Sequence, residues 1–189
     1  MMNKKRKIWA VITATVLVIA MGLAACQSAP KQMTNDEARV IMNELLPRAR
    51  EIYLEVGGYH ANMDETQLMP GNDMYALYLG DYKSIADIKV DVESIFTKEC
   101  AEDEFYWRFE LEDGGYKEYD GKLYQSIYAG GAGYSLFFLP DTATVQSQEG
   151  DHVVVKVETE YEEYPSVLFE IEKVDGEWLI AVFAEWINE

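Results

Sequence analysis

Between Asp36 and Val56 the apolar residues recur at three- and four-residue spacing: Ala38, Ile41, Met42, Leu45, Ala49, Ile52, Tyr53 and Val56. That period lays them along one face of a helix. Thr34 followed by Glu37 has the form of a capping box and predicts where the helix starts, and Gly57-Gly58 predicts where it stops. Pro47 falls inside the pattern and, lacking a donor and clashing with the preceding turn, predicts a kink or a division there. Residues 59–73 are polar and without period and read as a loop, whereas "MYALYL", Met74 to Leu79, reads as a strand. A second helix is predicted from Ser84, with Asp87 three residues on and Ile85, Ile88, Val92, Ile95 and Phe96 as its apolar face. A third is predicted from Thr97, with Ala101, Phe105 and Phe109 inward.

After Gly114-Gly115 the period falls to two. "YKEYDGKLYQSIY" and "KVDGEWLIAVFAEW" each set an Asp-Gly pair, Asp120-Gly121 and Asp175-Gly176, between alternating runs, the strongest short signal for a hairpin. Glu149-Gly150-Asp151 marks a further turn. In "HVVVKVETEY" Val153, Val155, Val157 and Tyr161 fall on one face and Lys156, Glu158, Glu160 and Glu162 on the other, the pattern of a half-buried antiparallel strand. Helices first and strands afterwards predict an α+β fold: N-terminal helices packed on a curved antiparallel β-sheet built from a C-terminal meander of hairpins.

The first 33 residues follow neither pattern. Lys4, Lys5, Arg6 and Lys7 precede an apolar run, Ile8 to Gly22, too short to read as a membrane span, and the whole reads as an export signal. Leu23-Ala24-Ala25-Cys26 has the form of a bacterial lipobox, in which a peptidase cuts before a cysteine already joined to a diacylglyceryl group. The predicted organisation is a lipoprotein signal peptide over residues 1–25, a lipidated tether over 26–33 and a single α+β domain over 34–189. Cys26 would anchor the domain on the outer face of the membrane, each buried CH₂ of its acyl chains contributing about 0.8 kcal/mol. The seven residues from Gln27 to Met33 reach at most roughly 25 Å.

Charge sharpens this picture. The chain carries 16 basic and 34 acidic residues, and the leader holds four of the basic ones and none of the acidic ones. The processed chain therefore has 12 basic against 34 acidic residues, a net charge of −22. Such a domain is repelled by nucleic acid and by anionic wall polymers and attracted to basic partners. Beyond Cys26 the only cysteine is Cys100, so the processed domain has no internal disulfide and must rely on a packed core.

Candidate chemistry is sparse. Cys100 falls in the helical stretch after Thr97, where a lone cysteine reads as a small buried apolar group, and His60 and His152 lie beside Gly-containing turns and read as exposed loop. No HExxH, CxxC or EF-hand spacing is present, so neither a metal nor a cofactor is predicted. Gly130, Gly131 and Gly133 in "YAGGAGYSLFF" lack the Lys-Ser/Thr and the following helix of a phosphate loop and read as a bend. Among so many carboxylates no acid–base pair stands out. The acidic face Glu158, Glu160, Glu162 and Glu163 is the candidate surface for a basic partner, with a solvated outer face as the bland alternative. The 13 tyrosines and four tryptophans suit core packing, a concave pocket or a protein interface.

Four strings, the helix ending in "YLEVGGY", "SIADIKVDVESIFTKECAEDEF", "YKEYDGKLYQ" and "FEIEKVDGEWLI", together resemble the IseA (YoeB) family of secreted cell-wall DL-endopeptidase inhibitors. They are also similar to the broader NTF2-like α+β domains of exported bacterial proteins. The resemblance covers about Thr34 to Ile180. It implies a non-catalytic protein that occludes the cleft of NlpC/P60-type cysteine peptidases, which cut the D-γ-glutamyl bond of peptidoglycan stem peptides. The family's best-known form is released rather than lipidated, so the lipobox is a departure. Two other classes stay open: a surface carrier or sensor holding a small ligand in a cone-like aromatic pocket, and an isomerase or hydrolase using a desolvated carboxylate as base.

Overall fold

A computed structural model describes residues 31–129 and 137–187, and everything below lies in the unit that starts at Met33. Helix α1 spans Asn35–Val56. Thr34 Oγ1 accepts from the Glu37 amide at 3.2 Å while the Glu37 carboxylate accepts from the Thr34 amide at 2.9 Å, closing the capping box that the sequence predicts. Pro47 does not divide the helix. It is exposed, and so is Asn43, whose carbonyl it leaves without a helical donor, so the loss falls on the solvent side. At the other end Gly58 turns left-handed (φ +76°), and Tyr59 N–H donates to Leu54 O and Gly58 N–H to Glu55 O. This is a Schellman stop, and it reverses the chain over the end of α1.

Strands β1 (Met63–Met69) and β2 (Asn72–Tyr78) form a hairpin. The first of them corrects the reading of residues 59–73 as loop. All of β1 is exposed or half-exposed, so both its faces are wet and leave no alternation to read. Helix α2 (Ile85–Glu93) is capped by Ser84 and buries Ile88 and Val92. Thr97 caps the short α3 (Lys98–Ala101), which runs through a π-helical turn (Glu102–Tyr106) into α4 (Trp107–Glu110). Ala101, Phe105 and Phe109 point inward as the spacing predicts.

Then come β3 (Tyr116–Tyr119), β4 (Lys122–Ser126), β5 (Phe138–Glu149), β6 (His152–Thr159), β7 (Ser166–Val174) and β8 (Glu177–Ile187). Both Asp-Gly hairpins form, with Asp120 (φ 47°) and Asp175 (φ 52°) left-handed ahead of their glycines. The α+β class and the C-terminal meander are those expected. The strands divide, however, into two antiparallel sheets of order β1-β2-β4-β3 and β5-β6-β7-β8.

The core lies between α1 and the second sheet. Ala38, Met42, Ala49, Ile52 and Val56 face Val153, Val155, Val157, Val167, Phe169 and Ile171, all at 0% exposure. Fully burying one such valine, leucine, isoleucine, phenylalanine or methionine contributes about 1.5–3 kcal/mol. Phe183 is the centre of an aromatic cluster, 5.4 to 6.0 Å from the rings of Tyr53, Phe96, Phe138 and Phe169. A bulge puts it there: Leu168 pairs with Glu185 and Glu170 with Val182, so Phe183 and left-handed Ala184 (φ 57°) together oppose Phe169.

Candidate functional site

On the flank of α1 away from that core, Arg48, Glu51 and Glu55 follow one another at helical spacing. They form one wall of a cleft of about 330 Å³, closed by His60 and Asn62 from the reversed chain, Tyr78, Asp81 and Tyr82 at the end of β2, and Asp91 of α2. Arg50 and Leu54 also line it.

The cleft is held from behind by Gln125 of β4, a fully buried amide. Its Oε1 accepts from the Asn62 amide at 2.9 Å, and its Nε2 donates to His60 O at 2.9 Å and to Tyr116 Oη at 3.1 Å. Tyr116 in turn donates to Glu55 O at 2.8 Å. The polar groups of Gln125 and Tyr116 thus all find partners, and the turn carrying His60 and Asn62 is locked to the end of α1.

Inside the cleft Tyr78 Oη donates to Glu55 Oε1 at 2.5 Å, and the other Glu55 oxygen stands 3.7 Å from His60 Nδ1. Gly80 is required here by space: a Cβ on it would stand 2.0 Å from Tyr78 Oη and 2.9 Å from Asn62 Nδ2. Beside this pair, Arg48 Nη2 donates to both Asp91 oxygens at 2.6 Å and its Nη1 to Glu51 at 2.8 Å, while Tyr82 Oη donates to Asp91 at 2.6 Å. Burial, and then the hydrogen bonds to Glu55 and Asp91, push the Tyr78 and Tyr82 hydroxyls far above the ordinary tyrosine range, so they stay protonated donors at any physiological pH. Arg48 and Asp91 are therefore consumed internally. Glu55 keeps one oxygen without a hydrogen bond, and Asp81 stands exposed at the rim. Such a cleft can accept donors and cations at its mouth.

The residues singled out from sequence lie elsewhere. Leu23, Ala24, Ala25 and Cys26, like Gly130, Gly131 and Gly133, are outside the described residues. Glu158, Glu160, Glu162 and Glu163 are all exposed, but only Glu158 is in β6; the other three stand in the connection to β7, so the four do not form a strand face. Tyr161 likewise falls past the strand end and is half-buried. Cys100 is buried, and burial, then Glu104 and Asp103, push its thiol up to about 12, which keeps it protonated. His60 is exposed in a loop as expected, whereas His152 opens β6 and its Nε2 lies 2.9 Å from Glu170. Among the described residues no group of three His, Cys, Asp or Glu is placed to hold a metal, and no helix is long and apolar enough to cross a membrane.

Glu55, Tyr78, Tyr82, Asp91 and Gln125 were not legible as a site. Only the Arg48–Glu51 spacing along the polar flank of α1 hinted at it. Compared with known protein families, curated proteins and solved structures, the chain finds no match in any of the three.

Proposed function

We propose that this chain is a non-catalytic, lipid-anchored binding module on the outer face of the cell membrane, which docks on basic surfaces of cell-wall DL-endopeptidases of the NlpC/P60 type and blocks them. What supports the reading is how the cations are used. Arg39, Arg48, Lys89 and Lys98 are each occupied by carboxylates of the domain itself. Glu158, Glu160, Glu162 and Glu163 are exposed, and none of them is ion-paired among the described residues. The unneutralised charge thus faces outward, where it accelerates encounter with a basic surface and makes association fall as salt rises.

The test is stem-peptide cleavage by several NlpC/P60-type enzymes of the same cell in the presence of micromolar protein. Slowed cleavage is expected, with an association rate that drops about tenfold when all four glutamates become glutamine. Unchanged rates across the enzymes overturn the reading. The cleft beside α1 favours a second one, a surface carrier or sensor for a small ligand. It predicts saturable binding of a cationic small molecule that Glu55→Gln weakens.

A further inference from the structure

Four arginines lie among the described residues, and their surroundings differ. Arg39 and Arg48 are ion-paired, to Asp36 and to Glu51 and Asp91. Arg50 makes no ion pair among the described residues, but its guanidinium lies 5.4 Å from the Phe137 ring centroid and it lines the cleft in which Glu51 and Glu55 stand. Arg108 of α4 makes no ion pair among the described residues; the carboxylate of Glu104, four residues earlier, acts with it on Tyr53 but is not paired to it. Its side chain is half-buried, and its Nε, like those of Arg39 and Arg50, is enclosed without a hydrogen-bond partner, so what sets it apart is the absence of an ion pair and the surface beside it. The guanidinium lies 4.2 Å from the Trp107 ring centroid and against the bare backbone of Gly58, where an added Cβ would stand 3.1 Å from Nη1. The stacked Tyr53 and Tyr59 rings, 5.5 Å apart, are close enough to act on its charge. Burial pulls its pKa below the ordinary arginine value, the direction expected of a cation removed from water without a counter-ion.

Leaving a guanidinium half-desolvated and unpaired is costly, and with Nε enclosed a ligand from solvent meets its terminal Nη groups. Its planar fork matches a carboxylate, which it can hold through two parallel hydrogen bonds. One guanidinium neutralises one charge, and a chain with a formal net charge of −18 repels dianions and polyanions more strongly than a monoanion. Trp107 and Leu111, one helical turn apart and 44% and 51% exposed, offer apolar surface beside the cation. We propose that Arg108, backed by Trp107, Leu111 and the Tyr53–Tyr59 pair, is a receptor for a carboxylate carried on an apolar stem, the C-terminus of a peptide or a short free acid. This site is separate from the Glu55 cleft and independent of the hydrolase reading.

The experiment titrates the full-length protein in detergent with the tripeptide Ala-Ala-Leu, its C-terminal amide, isovalerate and inorganic phosphate, following the Arg108 Nε–H and Trp107 indole resonances by NMR. The acid is expected to move both resonances and to bind about tenfold or more tightly than the amide, the difference one charge-assisted bidentate pair supplies. Arg108→Gln should abolish that difference. Because the acid-to-amide ratio is measured on the unaltered chain, it stands even if the variant fails to fold. Isovalerate binding as tightly as the tripeptide assigns the site to free acids, and a much tighter tripeptide assigns it to peptide C-termini. Equal affinity for acid and amide, an unmoved Arg108 resonance, or phosphate binding above isovalerate each overturns the proposal.

Discussion

The two flanks of α1 solve the same packing problem by opposite means. Toward the second sheet the helix meets valine, isoleucine and phenylalanine at 0% exposure, a dry contact whose stability comes from area removed from water. Toward the first sheet it meets Tyr78, Tyr116 and Gln125, through hydroxyls and an amide that bond to one another and to Glu55. A hydrogen bond contributes little net stability but is expensive to leave unmade, so the wet flank fixes geometry more than it adds stability. One helix can therefore be held firmly on one side while its other side shapes a cleft.

The strongest way to break the comparison is to attack the dry flank. Phe169→Ala removes a fully buried ring that touches Phe138 and Phe183, at 5.0 and 5.7 Å between centroids. It should cost about 3–5 kcal/mol in urea unfolding, with collapse of the fold if the total stability is no larger. On the wet flank, Gln125→Leu leaves the Asn62 amide and the His60 carbonyl without partners. A smaller loss of about 2–3 kcal/mol is expected, concentrated as faster amide exchange at residues 60–62 rather than throughout the core. Equal losses, or uniform exchange in both variants, would erase the distinction between the flanks.

That distinction also explains which parts were legible in the sequence. Thr34, Ser84 and Thr97 cap amides three residues away, and the Asp-Gly turns are closed by neighbours, so each announces itself in a short string. The dry flank repeats at helix and strand periods for the same reason: one-sided burial writes an alternation. The wet flank writes none. Glu55 and Tyr78 are 23 residues apart, Arg48 and Asp91 43, and Asn62 and Gln125 63, so topology alone brings them together. With 34 acidic residues no single carboxylate marks its own role. Strand β1 was missed because an edge strand wet on both faces has no period. The division into two sheets was missed because no hairpin signal says which strands a hairpin joins.

A milder change sharpens the same contrast. Tyr78→Phe deletes one hydroxyl from the wet flank and keeps the ring, for an expected loss of about 1–1.5 kcal/mol at neutral pH. Its pH dependence carries the sign. Burial raises the folded-state pKa of Tyr78, Tyr82 and Tyr116 above the ordinary 10.0, so above that pH the unfolded chain loses protons that the folded chain keeps. The stability is fully present below pH 10 and falls as pH rises beyond it. The unaltered protein should therefore lose stability steeply between about pH 10 and 11, and Tyr78→Phe should reduce that slope by one proton's share. An unchanged slope would mean that Tyr78 is not held as a buried neutral donor.

The smallest effect is expected where the dry flank carries a flaw. Ala184 sits at φ 57° in the bulge that aims Phe183 into the aromatic cluster, a conformation that costs a residue with a Cβ about 1 kcal/mol or more. Glycine removes that cost but loses more chain entropy on folding, so Ala184→Gly should stabilise the protein by only about 0.5 kcal/mol. Ala184→Val moves the other way, because a β-branched side chain is worse still at positive φ. A glycine variant less stable than the parent would mean that the alanine methyl packs well enough to offset its strain, and the bulge would then belong to the jigsaw rather than interrupt it. A stabilised one would locate the dry sheet's strain at the single turn of backbone that points Phe183 at Tyr53 and so ties β8 to the helix whose other flank forms the cleft.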